Sequence, residues 1–320
     1  MSADIRPLRD TDAGPFVEVA LGSGPVRARV TNAGAALIDL RHAAVGRPLI
    51  LGFDDPQRYL DNTQFMGPLV GRVANRIAGA RAVIAGMPCR FPVNEGDLIL
   101  HGGPDGAWRK LWTLQDASAA HARFALTLPD WHMGFPGTLE VVAEYRVAGA
   151  ALHLNIEAVS DRETLCNFAS HVYYARGPET RLRIAADHYQ PVDARNVPEG
   201  DPAPVAGTRF DYRAGQPVTE PIDHNLCLSR HREARRPVAA LIHPDCTLHL
   251  ETTEPGLQVY DGRHLDLAGG LDGAHYGPGS GVALEPQAWV DAPNRSFADQ
   301  VVLRPGNRYR QETAIRLEPA

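Results

Sequence analysis

Apolar and polar residues alternate along several short segments of the chain. In residues 139–147 every odd-numbered position is apolar, and after a small-residue turn at 148–150 every even-numbered position of 152–158 is apolar. The intervening residues are mostly charged or polar. Because the side chains of a strand point alternately to its two faces, this pattern predicts an antiparallel hairpin with one face in the core and one in solvent.

The same period-two alternation recurs at 248–252 and 309–317, and the 30 glycines and 26 prolines are spread over the whole length. No segment keeps the spacing of apolar residues that an amphipathic helix needs. Many short strands joined by turns are typical of an all-β protein. Since no stretch rich in Ser, Gly or Pro marks a linker, we expect residues 1–320 to form a single domain, a large antiparallel β-sandwich.

The charge balance and the lack of long apolar runs narrow the choice of partners. The chain has 32 Lys and Arg against 38 Asp and Glu, a net charge of −6. Its basic residues are scattered, whereas a nucleic-acid interface needs clustered positive charge. No run approaches the roughly 18 apolar residues of a membrane helix, and residues 1–6 lack the apolar core of a signal peptide. We therefore expect a cytoplasmic protein with no nucleic-acid or membrane partner.

The four cysteines occupy positions 89, 166, 227 and 246, without C-x-x-C spacing and without a neighbouring His cluster. Zinc sites and disulfide frameworks have characteristic spacings that are missing here. We expect buried free thiols and no metal site.

Polar residues suited to chemistry cluster in five short blocks. The blocks are GRVANRI at 71–77, HGG at 101–103, NFASHVYY at 167–174, DHN at 223–225 and LEPQAWVDAPN at 284–294. Taken singly each signal is weak, because a lone His is more often structural and Asp-His-Asn is compatible with a simple turn.

In combination, the five blocks resemble those of the aldose 1-epimerase, or galactose mutarotase, family. They occur in the same order as the family's blocks and at about the same spacing. The resemblance runs from about residue 20 to about residue 318 and includes GFPG at 134–137 and LRPG at 303–306. It implies a β-sandwich of the galactose-mutarotase-like type that interconverts the α and β anomers of a free aldose. It also implies acid–base chemistry on a monosaccharide, with no cofactor.

The matching positions imply roles for seven residues. Glu285 corresponds to the general base and His171 to the general acid, and the sugar-binding positions are Asn75, Arg76, His101, Asp223 and Gln258. Opening a sugar ring needs two proton transfers, which a carboxylate and an imidazolium supply. Ordinary pKa values lie near about 4.3 for Glu and about 6.5 for His, and a nearby carboxylate favours the charged His. We therefore expect Glu285 to be ionised and His171 to be protonated near neutral pH.

Some assignments stay open in the sequence. Arg72 is either a sugar ligand or a member of a structural ion pair. For each tryptophan core packing is favoured over stacking on a sugar, and Trp289 is the best candidate for stacking. The segments 98–100 and 261–262 depart from the family pattern, which leaves the choice between a hexose and a pentose undecided. The lack of an exposed apolar segment favours a monomer.

Three other activities are compatible with part of the pattern. A hexose-6-phosphate 1-epimerase of the same fold would need cations on a phosphate, for which Arg176, Arg181 and Arg183 are candidates. A non-catalytic sugar-binding protein would lack the acid or the base, and both are present. A glycosidase would use two carboxylates, such as Asp223 and Glu285.

Overall fold

The computed structural model describes residues 3–219 and 221–320. Met1 and Ser2, which begin the N-terminal segment considered above, lie outside the described residues. The strands are β1 Asp4–Thr11, β2 Gly14–Ser23, β3 Val26–Thr31, β4 Ala36–His42, β5 Leu69–Val70, β6 Arg76–Ile77, β7 Arg81–Ile84, β8 Met87–Arg90, β9 Ile99–Leu100, β10 Thr113–Ala117, β11 His121–Leu128, β12 Leu139–Ala148, β13 Ala151–Ser160, β14 Thr164–Leu165, β15 Ala169–Ser170, β16 Tyr173–Ala175, β17 Arg181–Ile184, β18 His188–Tyr189, β19 Ala203–Pro204, β20 Asp223–Cys227, β21 Arg236–Ile242, β22 Cys246–Thr252, β23 Gly256–Tyr260, β24 Gly281–Gln287, β25 Val302–Leu303 and β26 Tyr309–Pro319. The helical segments within the same residues are short 3-10 turns at Pro56–Asp61, Ala78–Ala80, Ala107–Arg109, His132–Gly134, Leu271–Gly273, Ala292–Asn294 and Ala298–Gln300.

The larger sheet has eight antiparallel strands in the order β10-β11-β12-β13-β26-β22-β21-β17. It contains the predicted hairpin, in which β12 pairs with β13 from Leu139 opposite Ser160 to Ala148 opposite Ala151. Both strands alternate buried residues with more exposed ones. The other two predicted segments form β22 and β26, which pair with each other in the same sheet. The period-two interpretation of these segments is therefore confirmed.

A six-stranded antiparallel sheet in the order β16-β24-β23-β20-β18-β19 packs against the larger one. Apolar side chains fill the space between the two sheets, because Leu226, Leu257 and Leu284 share one buried cluster with Val141 and Ile156 of the larger sheet. Removal of this apolar surface from water is the dominant force that holds the layers together. The result is an antiparallel β-sandwich, as predicted.

Two further apolar clusters flank the outer face of the six-stranded sheet. One contains Ile77 and Ile99 of the small β6–β9 sheet together with Trp289, which follows β24. The other brings β4 against β16 and β24, through residues such as Tyr173 and Ala283. Between the two clusters the outer face of β20, β23 and β24 forms the floor of a cleft.

The structure bears on two further expectations, one about the cysteines and one about membrane helices. All four cysteines are buried free thiols, as their spacing predicted. Within residues 3–219 and 221–320, no helix combines the length and the apolar character needed to cross a membrane.

Candidate active site

The cleft has a volume of about 410 Å³ and receives side chains from all five sequence blocks. Six of the seven predicted site residues line it, namely Asn75, Arg76, His101, His171, Asp223 and Glu285. The remaining lining comes from Thr63, Gln64, Phe65, Glu95, Leu100, Tyr173, Asn196, Arg209, Pro221, His224, Tyr260, Arg263 and His264. The fold thus gathers residues that are far apart in the sequence around one concave surface.

The register of three strands sets the floor of the cleft. Gln258 of β23 lies opposite Asn225 of β20 on one side and opposite Glu285 of β24 on the other. Partners in an antiparallel register share a face, and residues two apart along a strand share it too, so Asp223 belongs to the same face. Alternate residues such as Leu284 belong to the sandwich core. One face of these strands therefore carries polar chemistry while the other face supplies the core.

His171 and Glu285 form a buried pair at this floor. Nε2 of His171 lies 3.6 Å from Oε1 of Glu285. The loop between β15 and β16 that carries His171 is fixed by its backbone, which donates to the Pro68 carbonyl at 2.9 Å and accepts from the Gly67 N–H at 3.0 Å. The two residues expected to exchange protons with a substrate are therefore held next to each other.

Burial disfavours the charged form of both members of this pair. It raises the pKa of Glu285 well above its ordinary value, and the Asp223 charge adds to this effect while Arg76 opposes it. Burial also lowers the pKa of His171 to about 4. Both pKa shifts run against the expectation of an ionised Glu285 beside a protonated His171, because desolvation of a buried pair favours the arrangement in which neither group is charged.

The first two sequence blocks fix the imidazole of His101. The backbone N–H of Asn75 donates to Nδ1 of His101 at 3.2 Å, so Nε2 carries the proton of the neutral ring and acts as a donor. Burial lowers the pKa of His101 well below its ordinary value, and repulsion from Arg76 and from the protonated form of His171 adds to this effect. Gly102 permits this close packing, because it has a φ of +82° and a Cβ there would lie 2.0 Å from the Gly71 carbonyl oxygen.

His101, His171 and Glu285 also offer the chemistry of metal ligands, since one ligand atom from each lies within 4.8 Å of the others. Imidazoles and a carboxylate together are a familiar ligand set for divalent transition metals. However, Nδ1 of His101 already accepts from Asn75 and Nε2 carries a proton, so this ring has no free lone pair. The group suits proton transfer better than metal binding.

Arg76 is held by carboxylates on two sides. Its guanidinium donates to Glu95 at 2.5 and 2.8 Å and lies 3.7 Å from Asp223. Asp223 in turn accepts from Gln258 at 2.6 Å and from Asn196 at 3.1 Å. This network fixes donors and acceptors of the kind that bind sugar hydroxyls. Glu95 and Asn196 were missed from the sequence because neither lies in one of the five blocks.

Gln258, which was expected to contact the sugar, is not among the residues that line the cleft. Its Nε2 donates to Asp223, and its Oε1 is buried without a hydrogen-bond partner among the described residues. Gln258 therefore supports Asp223 from within the sheet.

The aromatic side chains that line the cleft are Phe65, Tyr173 and Tyr260. The Phe65 ring lies 4.7 Å from the ring of His101 and 5.6 Å from the ring of His171, measured between centroids. Tyr173 belongs to the block that contains His171, which is a signal that could have identified it. Phe65 lies in no block and carried no such signal.

Trp289 does not line the cleft and belongs to a buried apolar cluster, so of the two uses considered from the sequence the structure shows core packing and not stacking on a sugar. Its indole N–H donates to the Pro255 carbonyl at 3.0 Å, and its ring packs edge-on against Phe297. The physical reason is that β24 ends at Gln287, so the two-residue alternation that would place position 289 beside Glu285 does not extend that far.

Arg72 also lies outside the cleft. Its buried guanidinium donates to the carbonyls of Leu128, Pro136 and Gly137 and to the Thr164 hydroxyl. Both alternatives considered from the sequence are therefore wrong. Arg72 neither lines the cleft nor pairs with a carboxylate of the described residues, and it ties together loops that flank the site.

The three arginines considered for a phosphate group are directed elsewhere. Arg176 donates to the carbonyls of Val218 and Gly279, and Arg181 donates to a backbone carbonyl of the segment that follows. Neither these two nor Arg183 is part of the cleft lining. The phosphate alternative thus loses the residues on which it was based.

Comparison with known proteins gives a consistent result. The family model described as aldose 1-epimerase matches residues 18–316. The galactose mutarotase of Rattus norvegicus is 35% identical over 291 residues, which cover 85% of this chain and 84% of the rat protein. The aldose 1-epimerase of Escherichia coli K12 is 31% identical over 86% of each chain. The solved structure of a galactose 1-epimerase from Lactobacillus acidophilus matches with a TM-score of 0.88 at 26% identity, over 100% of this chain and 99% of that chain. The chain therefore belongs to the aldose 1-epimerase family.

Proposed function

We propose that this protein catalyses the interconversion of the α and β anomers of a free monosaccharide. The observation that carries the proposal is the buried His171–Glu285 pair on the floor of a cleft lined with hydroxyl-binding groups. Family membership supports it, since the relatives above are named galactose mutarotase or aldose 1-epimerase.

In the proposed reaction Glu285 removes the proton of the C1 hydroxyl while the bond between C1 and the ring oxygen breaks. His171 gives its proton to the ring oxygen, which leaves an open-chain aldehyde. Rotation about the C1–C2 bond turns the other face of the carbonyl towards the hydroxyl, and ring closure returns both protons. A positioned acid or base of this kind accelerates a reaction by about 10²- to 10⁴-fold.

The pair carries one proton in either of its two arrangements. Ring opening starts from the Glu285 carboxylate and the His171 imidazolium, whereas burial favours the neutral arrangement. A substrate hydroxyl that donates to Glu285 stabilises the carboxylate and offsets part of this desolvation. Substrate binding therefore shifts the shared proton towards His171 in our proposal, and the two groups titrate as one unit.

The sugar hydroxyls are assigned to Asn75, Arg76, His101 and Asp223. His101 offers a donor at Nε2, Arg76 offers a planar set of donors, and Asp223 offers acceptor oxygens. We assign Gln258 to holding Asp223 and not to direct contact with the sugar. The single-domain organisation, the monomeric state and the cytoplasmic location stay predictions from the sequence.

Polarimetry tests the proposed function and its alternatives together. Freshly dissolved α-D-glucose, α-D-galactose, D-xylose and L-arabinose are compared with glucose 6-phosphate and with a chromogenic glycoside. We expect faster decay of the optical rotation for at least one free sugar and no release of the chromogenic aglycone. Acceleration confined to glucose 6-phosphate would indicate a hexose-6-phosphate 1-epimerase, and release of the aglycone would indicate a glycosidase. Sugar binding without any acceleration would indicate a non-catalytic sugar-binding protein.

A further inference from the structure

Several buried polar atoms on the strands that carry Glu285 and its register partners lack a hydrogen-bond partner among the described protein atoms. They are both amide atoms of Asn225, both amide atoms of Gln287, Oε1 of Gln258 and Oε2 of Glu285 itself. Most buried polar groups of native proteins are hydrogen-bonded to protein or to ordered water. We therefore expect these six atoms on neighbouring strands to have a hydrogen-bond partner other than the protein.

The strand register places these residues together. Gln258 is the register partner of both Asn225 and Glu285, and Gly256 is the register partner of Gln287. Asn225 reaches over Gly256, since a Cβ at that glycine would lie 2.5 Å from Oδ1 of Asn225. Asn225, Gln258 and Gln287, which we name the amide bank, thus share one face of the sheet with the carboxylate of Glu285.

We propose that the amide bank holds ordered water against Oε2 of Glu285, and that this water positions the carboxylate and stabilises its ionised form during the reaction. No direct hydrogen bond joins the unpaired amide atoms to Oε2 of Glu285, and a buried water binds two to four polar partners of this kind. Asn225 and Gln287 supply both donors and acceptors. The inference rests on the proposed role of Glu285 as a base.

The surroundings of Glu285 explain why such support is needed. The titratable and charged groups that face it are Arg76, His101, His171, Tyr173 and Asp223. Burial and the Asp223 charge raise the pKa of Glu285, and the Arg76 charge lowers it only in part. Hydrogen bonds donated to the ionised carboxylate act in the same direction as Arg76. The amide bank is therefore a set of positioning residues that act on the base through water.

The amides of Asn225 and Gln287 form no hydrogen bond with another described protein group. Replacing them with apolar groups of similar shape therefore leaves no protein donor or acceptor unpaired and should be close to neutral for stability, whereas replacing an amide that is bonded to the protein is destabilising. Gln190 provides the contrast in this chain, because its buried amide exchanges hydrogen bonds of 2.7 and 3.3 Å with the backbone of Val290. A positioning role at Glu285 predicts a shifted Glu285 titration with unchanged stability, whereas a role in the fold predicts lower stability with an unchanged titration. Matched Gln→Met variants distinguish the two.

The test compares Gln287→Met and Asn225→Leu with the control Gln190→Met. The side-chain carboxyl carbon of Glu285 is titrated by ¹³C NMR, with Glu285→Gln identifying its resonance, and thermal unfolding is followed for each variant. We expect Gln287→Met and Asn225→Leu to raise the pKa of Glu285 by about one unit, the size expected for a hydrogen bond to a charged group, without lowering the unfolding temperature. Gln190→Met should lower the unfolding temperature and leave the Glu285 titration unchanged.

An unchanged Glu285 titration in both amide-bank variants would overturn the inference, whatever happens to stability. The acidic limb of the kcat/KM profile gives a second readout and should move to higher pH in Gln287→Met and Asn225→Leu. The NMR titration does not require turnover. A wild-type protein that accelerates no sugar would thus refute the proposed function, while the carboxyl titration would still decide whether the amide bank acts on Glu285.

Discussion

Nε2 of His171 and Oε1 of Glu285 lie 3.6 Å apart, and both side chains are buried beneath a polar cleft. At this separation the protonation of one group changes that of the other. Burial favours the arrangement in which neither is charged. The pair therefore behaves as one proton-carrying unit, and we expect substitution of either residue to remove the catalytic contribution of both.

Substitution of His171 tests this unit. His171→Asn should lower kcat by about 10²- to 10⁴-fold, because the ring oxygen loses its proton donor. Adding Glu285→Gln to that variant should cost much less than the product of the two single effects, as is usual for residues that act together. Polarimetric initial rates of the two single variants and the double variant provide the comparison. Fully multiplicative losses would show that the two groups act independently.

Removal of the Asp223 charge should shift the pH dependence of the reaction. That charge raises the pKa of Glu285, so Asp223→Asn should lower it and move the acidic limb of kcat/KM to lower pH. At the plateau kcat/KM should fall by about 10- to 100-fold, since a hydrogen bond to a charged acceptor is lost. Asp116→Asn, at an exposed position on β10, is the matched control. A limb that moves to higher pH would contradict the assigned charge interaction.

Arg72 should matter to folding and not to sugar binding. Arg72→Met leaves three buried carbonyl oxygens and one hydroxyl without their donor, so we expect the free energy of unfolding to fall by at least about 3 kcal/mol. Urea denaturation measures this loss, and Arg123→Met serves as a more exposed control. The KM of the folded variant should stay unchanged. A large rise in KM with unaltered stability would show that Arg72 acts in sugar binding and not in folding.

His243 should contribute to acid sensitivity outside the cleft. Burial lowers its pKa to about 4, so between pH 6.5 and about 4 the unfolded chain binds a proton that the folded chain does not. Stability is linked to this proton and falls as the pH decreases through that window. His243→Gln should reduce the slope of unfolding free energy against pH by about 1.4 kcal/mol per pH unit. An unchanged slope, with surface variant His275→Gln as control, would show that His243 is protonated in the native state.

The strand pattern and the location of the site were predictable from the sequence for a clear physical reason. Alternation of buried and exposed residues leaves a period-two signal, which identified β12, β13, β22 and β26. The resemblance of the five polar blocks to the aldose 1-epimerase family identified six residues that line the cleft. Side-chain chemistry within a block is a local property, and local properties are visible in a linear sequence.

Features that depend on register and burial were not predictable. The row formed by Asn225, Gln258 and Glu285 exists only because three strands pair in one particular register. The protonation of the His171–Glu285 pair depends on desolvation, which ordinary pKa values do not include. The position of Trp289 outside the cleft has the same origin, because the point at which β24 ends is set by tertiary contacts.

The most direct test of the account is the decay of optical rotation of fresh α-D-galactose with wild type, Glu285→Gln and the control Glu251→Gln, which lies on the far sheet in β22. We predict acceleration by wild type and by Glu251→Gln, and a loss of about 10²-fold or more in kcat for a correctly folded Glu285→Gln. If Glu285→Gln retains the wild-type rate, Glu285 is not the base, and the central claim fails.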